Sequence, residues 1–142
     1  MRKKCLEMVY KLAKKNKKVI FIGSDLGAGV LSNLQKELPN QFFMEGISEQ
    51  YITGMTVGLS KIGFIPYFNT IATFITRRNF EQNFIGLGLH NSNVRLIGNG
   101  GGFVYAPLGP THLAIEDISI MNSIPNMSII CPSDANEMEN LM

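Results

Sequence analysis

Cysteine is scarce in this chain. Its 142 residues hold only Cys5 and Cys131. The two fit neither a metal-ligand spacing nor a disulfide framework, and a reducing, cytoplasmic setting suits them. Cys131 lies in an apolar run that reads as a buried strand, so it is expected to be an inert core thiol. Charge is scarce as well. Asp, Glu, Lys and Arg make up 17% of the residues and the net charge is only +2. That balance offers no field for nucleic acid. Long apolar runs are missing. None approaches a membrane span, and the stretch from Cys5 to Tyr10 is too short for a signal peptide and is interrupted by Glu7. Internal repeats and low-complexity segments are missing too. What is present is 45% apolar residues, enough for one globular domain with a core of its own.

The positive charge is unevenly placed. Arg2, Lys3, Lys4, Lys11, Lys14, Lys15, Lys17 and Lys18 are eight of the thirteen basic residues. A solvated helix face accounts for them, and an anion-binding or partner surface is the alternative. Apolar residues at helical spacing predict a helix over 3–17. Then short apolar runs alternate with helical patterns. Strands are expected over 18–23, 41–44, 64–68, 94–98 and 127–131. Helices are expected up to about Leu38, over 49–63, 74–89 and 113–122, and after Asp134. Five such alternations predict an α/β fold: a three-layer, doubly wound, mostly parallel sheet with helices on both faces. The whole of 1–142 reads as one domain. Its last helical pattern is still running at Met142, so the domain is expected to be incomplete there.

In such a sheet the strand ends share one rim, where ligands bind. Four segments fall on that rim: Ser24-Asp25-Leu26, Glu49, the stretch from Phe74 to Phe80 with Arg77 and Arg78, and the stretch from Gly98 to His112. Glu49 is central, because a strand, a glycine turn and a helix start follow one another there. A carboxylate in the first helical turn has two readings, a partner for the helix dipole or a catalytic group. Gly54 and Gly58 leave one face of that helix bare, so another backbone can come close there. The glycine loop Gly98-Asn99-Gly100-Gly101-Gly102 lacks both a Walker lysine and a dinucleotide fingerprint. No nucleophile or paired metal ligands stand out.

Several motifs taken together resemble a known family. Gly46-Ile47-Ser48-Glu49-Gln50 comes first. Ala72-Thr73-Phe74 with Arg77 and Phe80 follows, then Gly109-Pro110-Thr111-His112 with Ile115-Glu116-Asp117. Ile124-Pro125-Asn126-Met127 and Cys131-Pro132-Ser133-Asp134 complete the series. This order is similar to the pyrimidine-binding domain of the transketolase family, a domain also found in 1-deoxyxylulose-5-phosphate synthase. The resemblance runs from about Val19 to the end.

The resemblance implies a thiamine diphosphate cofactor, which would itself carry the missing nucleophile. It implies that Glu49 hydrogen-bonds the ring nitrogen N1′ of the aminopyrimidine and so promotes loss of the thiazolium C2 proton. Phe74 and Phe80 would stack on the pyrimidine. Asp25 and Leu26 look like the family's cofactor-proximal pair, and Arg77, which lies where some members carry an aromatic residue, would be a further cofactor contact. His112 would face the substrate as the second catalytic residue. The reaction implied is transfer of a two-carbon ketol unit between sugars or sugar phosphates. A 1-deoxyxylulose-5-phosphate synthase-like enzyme, a 2-oxo acid dehydrogenase beta-type chain and a non-catalytic partner domain of the same fold are the alternatives.

Departures from the family pattern limit what is implied. Leu108 stands where transketolases carry an aspartate before Gly-Pro-Thr-His, and a second histidine of the glycine loop is replaced near Gly100. The motif for diphosphate and Mg2+ (or Ca2+) is absent. A separate diphosphate-binding domain or subunit is therefore expected as partner, in a homo- or hetero-oligomer such as a dimer. The chain alone should be inactive.

Overall fold

A computed structural model describes residues 1–24, 29 and 31–142. Four parallel strands form one sheet: β1 (Val19–Gly23), β2 (Phe42–Met44), β3 (Ile65–Ile71) and β4 (Arg95–Asn99), in the order β2-β1-β3-β4. Parallel neighbours require crossovers, and helices supply them. Along the chain these helices are α1 (Arg2–Lys15), α2 (Ser32–Glu37), α3 (Glu49–Lys61), α4 (Ala72–Ile75), α5 (Phe80–Gln82), α6 (Asp117–Asn122) and α7 (Ala135–Leu141).

Side-chain alternation along β1 explains the layering. Val19 and Phe21 face one side and pack with Leu6, Val9 and Ala13 of α1 and Leu34 of α2. Ile20 and Ile22 face the other side and pack with Ile52 of α3, Phe68 of β3 and Ile75 of α4. All five residues of β1 are buried. A strand covered on both faces has to be apolar throughout, and Val19-Ile20-Phe21-Ile22-Gly23 is. The fold is therefore the expected three-layer α/β arrangement.

Pro66 sits in a central strand without breaking it. It pairs with Ile20 of β1, while the β4 ladder begins one residue later, at Tyr67 opposite Arg95. Its missing N–H thus falls where β3 has a neighbour on one side only. β3 also runs three residues past the expected end at Phe68, and this carries Asn69, Thr70 and Ile71 to the rim.

Three expectations need correction, and a fourth point bears on the glycine face of α3. First, the residues 127–131 form no strand among the described residues. Ile129 and Ile130 are exposed, and so is Cys131. An apolar run becomes a buried strand only when neighbours cover it, and none does here. The inert core thiol is Cys5 instead, on the buried face of α1, where burial pushes the thiol pKa up. Second, the helix expected over 74–89 is broken. α4 ends at Ile75, α5 begins at Phe80, and a π-helical stretch covers Asn83–Leu89. Side chains compete with the helix ladder there: Asn83 Nδ2 donates to the Ile75 carbonyl at 2.6 Å, and Asn79 donates to Thr53.

Third, the helix expected from Leu113 starts at Asp117. Residues before it are claimed by the glycine loop, where Gly102 and Ala114 exchange backbone hydrogen bonds of 2.8 and 3.1 Å. Fourth, Gly54 and Gly58 are exposed, and among the described residues no atom would touch a Cβ added at either. The bare face of α3 has no close neighbour among the described residues and leaves room for another backbone.

Candidate functional site at the carboxyl rim of the sheet

The strand order reverses between β1 and β3, since the chain first crosses from β1 to β2 and then returns past β1 to β3. A crevice opens at that reversal beyond the strand ends. Ser24 follows β1, Thr70 lies near the end of β3, Glu49 starts the helix after β2, and Phe74 and Arg78 follow β3. Topology alone brings these five together. Gly46, at φ +74°, makes the tight turn that lets α3 start immediately beyond β2.

Glu49 is 2% exposed although it opens a helix. Its carboxylate does not cap α3. Thr70 Oγ1 donates to Oε1 at 3.4 Å, and Ser24 Oγ donates to Thr70 Oγ1 at 2.7 Å. Arg78 Nη1 donates to Oε2 at 2.9 Å, in an ion pair that is buried on the glutamate side and open on the arginine side. The same guanidinium lies over the Phe74 ring, 3.8 Å from its centroid. His112 meets Phe74 edge-on, with ring centroids 5.0 Å apart. Its Nδ1 is 2.9 Å from Thr111 Oγ1.

Beside this cluster lies an open cavity of about 410 Å³, lined by Thr73, Phe74, Arg77, Arg78, Pro110 and Thr111. Thr73 Oγ1 is buried and, among the described residues, has no hydrogen-bond partner, which costs free energy at this position.

Arg77 has a different task from its neighbour. Its Nη2 donates to the carbonyls of Pro110, Thr111 and Leu113 at 3.1, 3.3 and 3.5 Å, and its Nη1 pairs with Glu116 at 2.9 Å. A planar fork with five donors suits that cluster of acceptors, which a lysine could not match. Arg77 thus fastens the loop that carries His112. Replacing it in Arg77→Met is expected to ease local opening of this loop by about 1–2 kcal/mol. Amide exchange at Gly102 and Ala114 should then quicken roughly tenfold with the global melting point little changed. Unaltered exchange would show that the loop is held by other contacts.

The structure gathers Glu49, Phe74 and His112 around one cluster. Phe80 lies apart, packed at 6.0 Å from Phe84 and lining a second cavity of about 310 Å³ with Arg77, Ile120 and Ser123. Asp25 and Leu26 lie outside the described residues. Sequence reasoning gave no role to Thr70 and Ser24, or to Arg78, although Arg78 is four residues from Phe74 and at helical spacing for a side-chain contact. Gly100, at φ +77°, is required where it stands. A Cβ there would lie 2.1 Å from the Tyr105 ring, which packs over the glycine loop. Among the described residues no group of three His, Cys, Asp or Glu side chains could hold a metal ion, and no helix is long and apolar enough to cross a membrane.

Comparison with known proteins bears on this geometry. The chain is 33% identical over 142 residues to an apulose-4-phosphate transketolase subunit of Phocaeicola vulgatus, covering 99% of this chain and 46% of that protein. It is 32% identical to a putative transketolase C-terminal section of Methanocaldococcus jannaschii, covering 100% of this chain and 45% of the relative. The chain thus spans about half the length of these relatives. Among solved structures, a split gene transketolase described as an inactive beta4 tetramer matches with a TM-score of 0.86 and 31% identity, over 99% of this chain and 45% of that one. Transketolase from Leishmania mexicana shares the fold, with a TM-score of 0.84 at 20% identity over 97% of this chain and 22% of that one. The family model for the transketolase pyrimidine binding domain matches residues 1–142, from the first residue to the last. With buried Glu49 at the switch point of a doubly wound sheet, and that match along its whole length, the chain belongs to the transketolase pyrimidine-binding domain family.

Proposed function

We propose that this chain provides the pyrimidine-binding half of a thiamine-diphosphate-dependent transketolase, which transfers a two-carbon ketol unit between sugars or sugar phosphates. One observation carries the reading: Glu49 is buried at the strand-end crevice, its Oε2 is paired with Arg78, and Arg78 and Phe74 line the cavity beside it. These residues fit an aminopyrimidine. A flat ring with nitrogen donors and acceptors matches a carboxylate and an aromatic face. The bound cofactor would supply the nucleophilic carbon that accepts and hands on the two-carbon unit.

This chain's residues would do the rest. Glu49 would hydrogen-bond the ring nitrogen N1′ and hold the proton shared with it. Thr70 and Ser24 would keep its other oxygen oriented. Phe74 would present a stacking face. His112, fixed by Thr111 and by the loop that Arg77 fastens, would meet the substrate's polar groups. Phe80 would contribute from the adjoining cavity, and Asp25 and Leu26 are proposed as cofactor contacts on the strength of sequence similarity alone.

Diphosphate and Mg2+ or Ca2+ need ligands that these residues do not offer, so a diphosphate-binding partner subunit or domain is part of the proposal. Similarity to one protein named as a transketolase subunit and to another named as a split gene transketolase supports a separate partner and an oligomeric enzyme. A cytoplasmic location fits its unpaired cysteines. The second reading, a 1-deoxyxylulose-5-phosphate synthase-like activity, draws support from 33% identity to the 1-deoxy-D-xylulose-5-phosphate synthase of Parasynechococcus marenigrum.

The test is calorimetric titration with thiamine diphosphate and Mg2+. This chain alone should bind no more tightly than about 1 mM, and addition of the diphosphate-binding partner should bring the dissociation constant to about 1 μM. Binding near 1 μM by this chain alone would overturn the need for a partner.

A further inference from the structure

We propose that Arg78 is a displaceable place-holder for the pyrimidine ring, a proposal that rests on the reading of this cavity as the cofactor's. Its guanidinium is flat, cationic and edged with N–H donors. One edge donates to Glu49 Oε2 at 2.9 Å, and the face lies 3.8 Å from the Phe74 centroid. Donation to the carboxylate and stacking on that aromatic ring are the two recognitions proposed for the ring. Arg78 makes both of them now.

A counter-ion is needed when the ring is absent. Glu49 is 2% exposed, and an unpaired buried carboxylate is strongly destabilising. Arg78 neutralises it from the solvent side, with 41% of its own side chain exposed. That asymmetry lets the arginine leave while the glutamate stays. The backbone of residue 78 is held independently: its N–H donates to the Thr73 carbonyl at 3.4 Å, and its carbonyl accepts from Gln50 Nε2 at 3.1 Å. The side chain can therefore swing without unfolding the turn. Arg77 cannot substitute, because its fork is already committed to Glu116 and three carbonyls. Two adjacent arginines thus divide the work, one a permanent clamp and the other a removable plug.

Such a plug reduces the apparent affinity of the ring by the fraction of molecules in which the plug is out. The experiment uses 4-amino-5-hydroxymethyl-2-methylpyrimidine as probe. It lacks the diphosphate, so any attraction between arginine and phosphate is removed from the reading. The full chain and its Arg78→Met variant are titrated and followed by NMR. Arg78→Met should bind the pyrimidine about tenfold more tightly than the wild type, and Arg78→Lys, which keeps the charge but not the flat face, should lie between them. The gain should vanish when Glu49→Gln is combined with Arg78→Met.

A second measurement needs no variant. The Arg78 side-chain protons in the wild type should start shifted upfield by the Phe74 ring current and lose that shift as the pyrimidine saturates. Equal or weaker binding by Arg78→Met, or an Arg78 signal still shifted at saturation, overturns the place-holder and leaves the pyrimidine site standing. Failure of the pyrimidine to bind wild type and variants even after assembly with the diphosphate-binding partner overturns both readings together.

Discussion

Glu49→Gln, in the enzyme assembled with its diphosphate-binding partner, is expected to slow exchange of the C2 proton of bound thiamine diphosphate by about 10²–10⁴-fold. That is the range in which acid–base assistance acts. Glutamine matches the size of glutamate, and its one carbonyl oxygen still accepts from Thr70 or from Arg78, the partners of the two present carboxylate oxygens. It cannot take the shared proton. Cofactor affinity should fall much less, because the stacking face and the diphosphate contacts are untouched. A different result would follow if Glu49 served only as a charge at a helix start. Stability would then drop by about 0.3–1 kcal/mol and the exchange rate would not change. Proton exchange measured beside a melting curve separates the two outcomes, and unchanged exchange with a lowered melting temperature would remove Glu49 from the chemistry.

Phe68→Ala carries the largest expected loss of stability. Phe68 is fully buried in β3 and packs with Ile20, Ile22, Ile52 and Ile75, so one ring ties the strand to α3 and α4. Truncation removes its transfer free energy and leaves a cavity that a parallel sheet cannot close. The loss should be about 3–5 kcal/mol. Thermal unfolding should fall by roughly 10–20 °C. Two residues further on, Thr70 bonds Glu49, so the same substitution should loosen the site before the sheet melts. A loss below about 1 kcal/mol would show that this face is less densely packed than its burial implies.

The strands were the most legible part of this chain. β1, with no polar residue from Val19 to Gly23, announced its burial on both faces, and β2, β3 and β4 start within a residue or so of where their patterns placed them. The exception is instructive. Met127 to Ile130 carries almost the same kind of apolar run, yet Ile129 and Ile130 are exposed and no strand forms there among the described residues. Hydropathy records what a segment would tolerate, and burial is decided by what lies against it. The helix over 74–89 failed for a related reason. Its periodicity is real, but Asn79 and Asn83 spend their side chains on Thr53 and on the Ile75 carbonyl, partners that no local pattern reveals.

The site divides in the same way. The motifs marked Glu49, Phe74 and His112 as candidate site residues, and the alternation of strands and helices put them on one rim. Which of two neighbouring arginines would face Glu49 was not legible. Arg77 and Arg78 have the same chemistry, and their roles differ only because the turn between α4 and α5 points one at the loop bearing His112 and the other at the buried carboxylate. By itself the sequence determined the parallel α/β layering and the position of Glu49 at a helix start, because these follow from local periodicity and turn chemistry, and it carried the motif series by which the family is recognised. Only the tertiary structure decided that Glu49 is buried, that Ser24 and Thr70 orient it and that Arg78 neutralises it. Those contacts join segments 21 to 46 residues apart, and only the folded sheet brings such distant segments within a few ångströms.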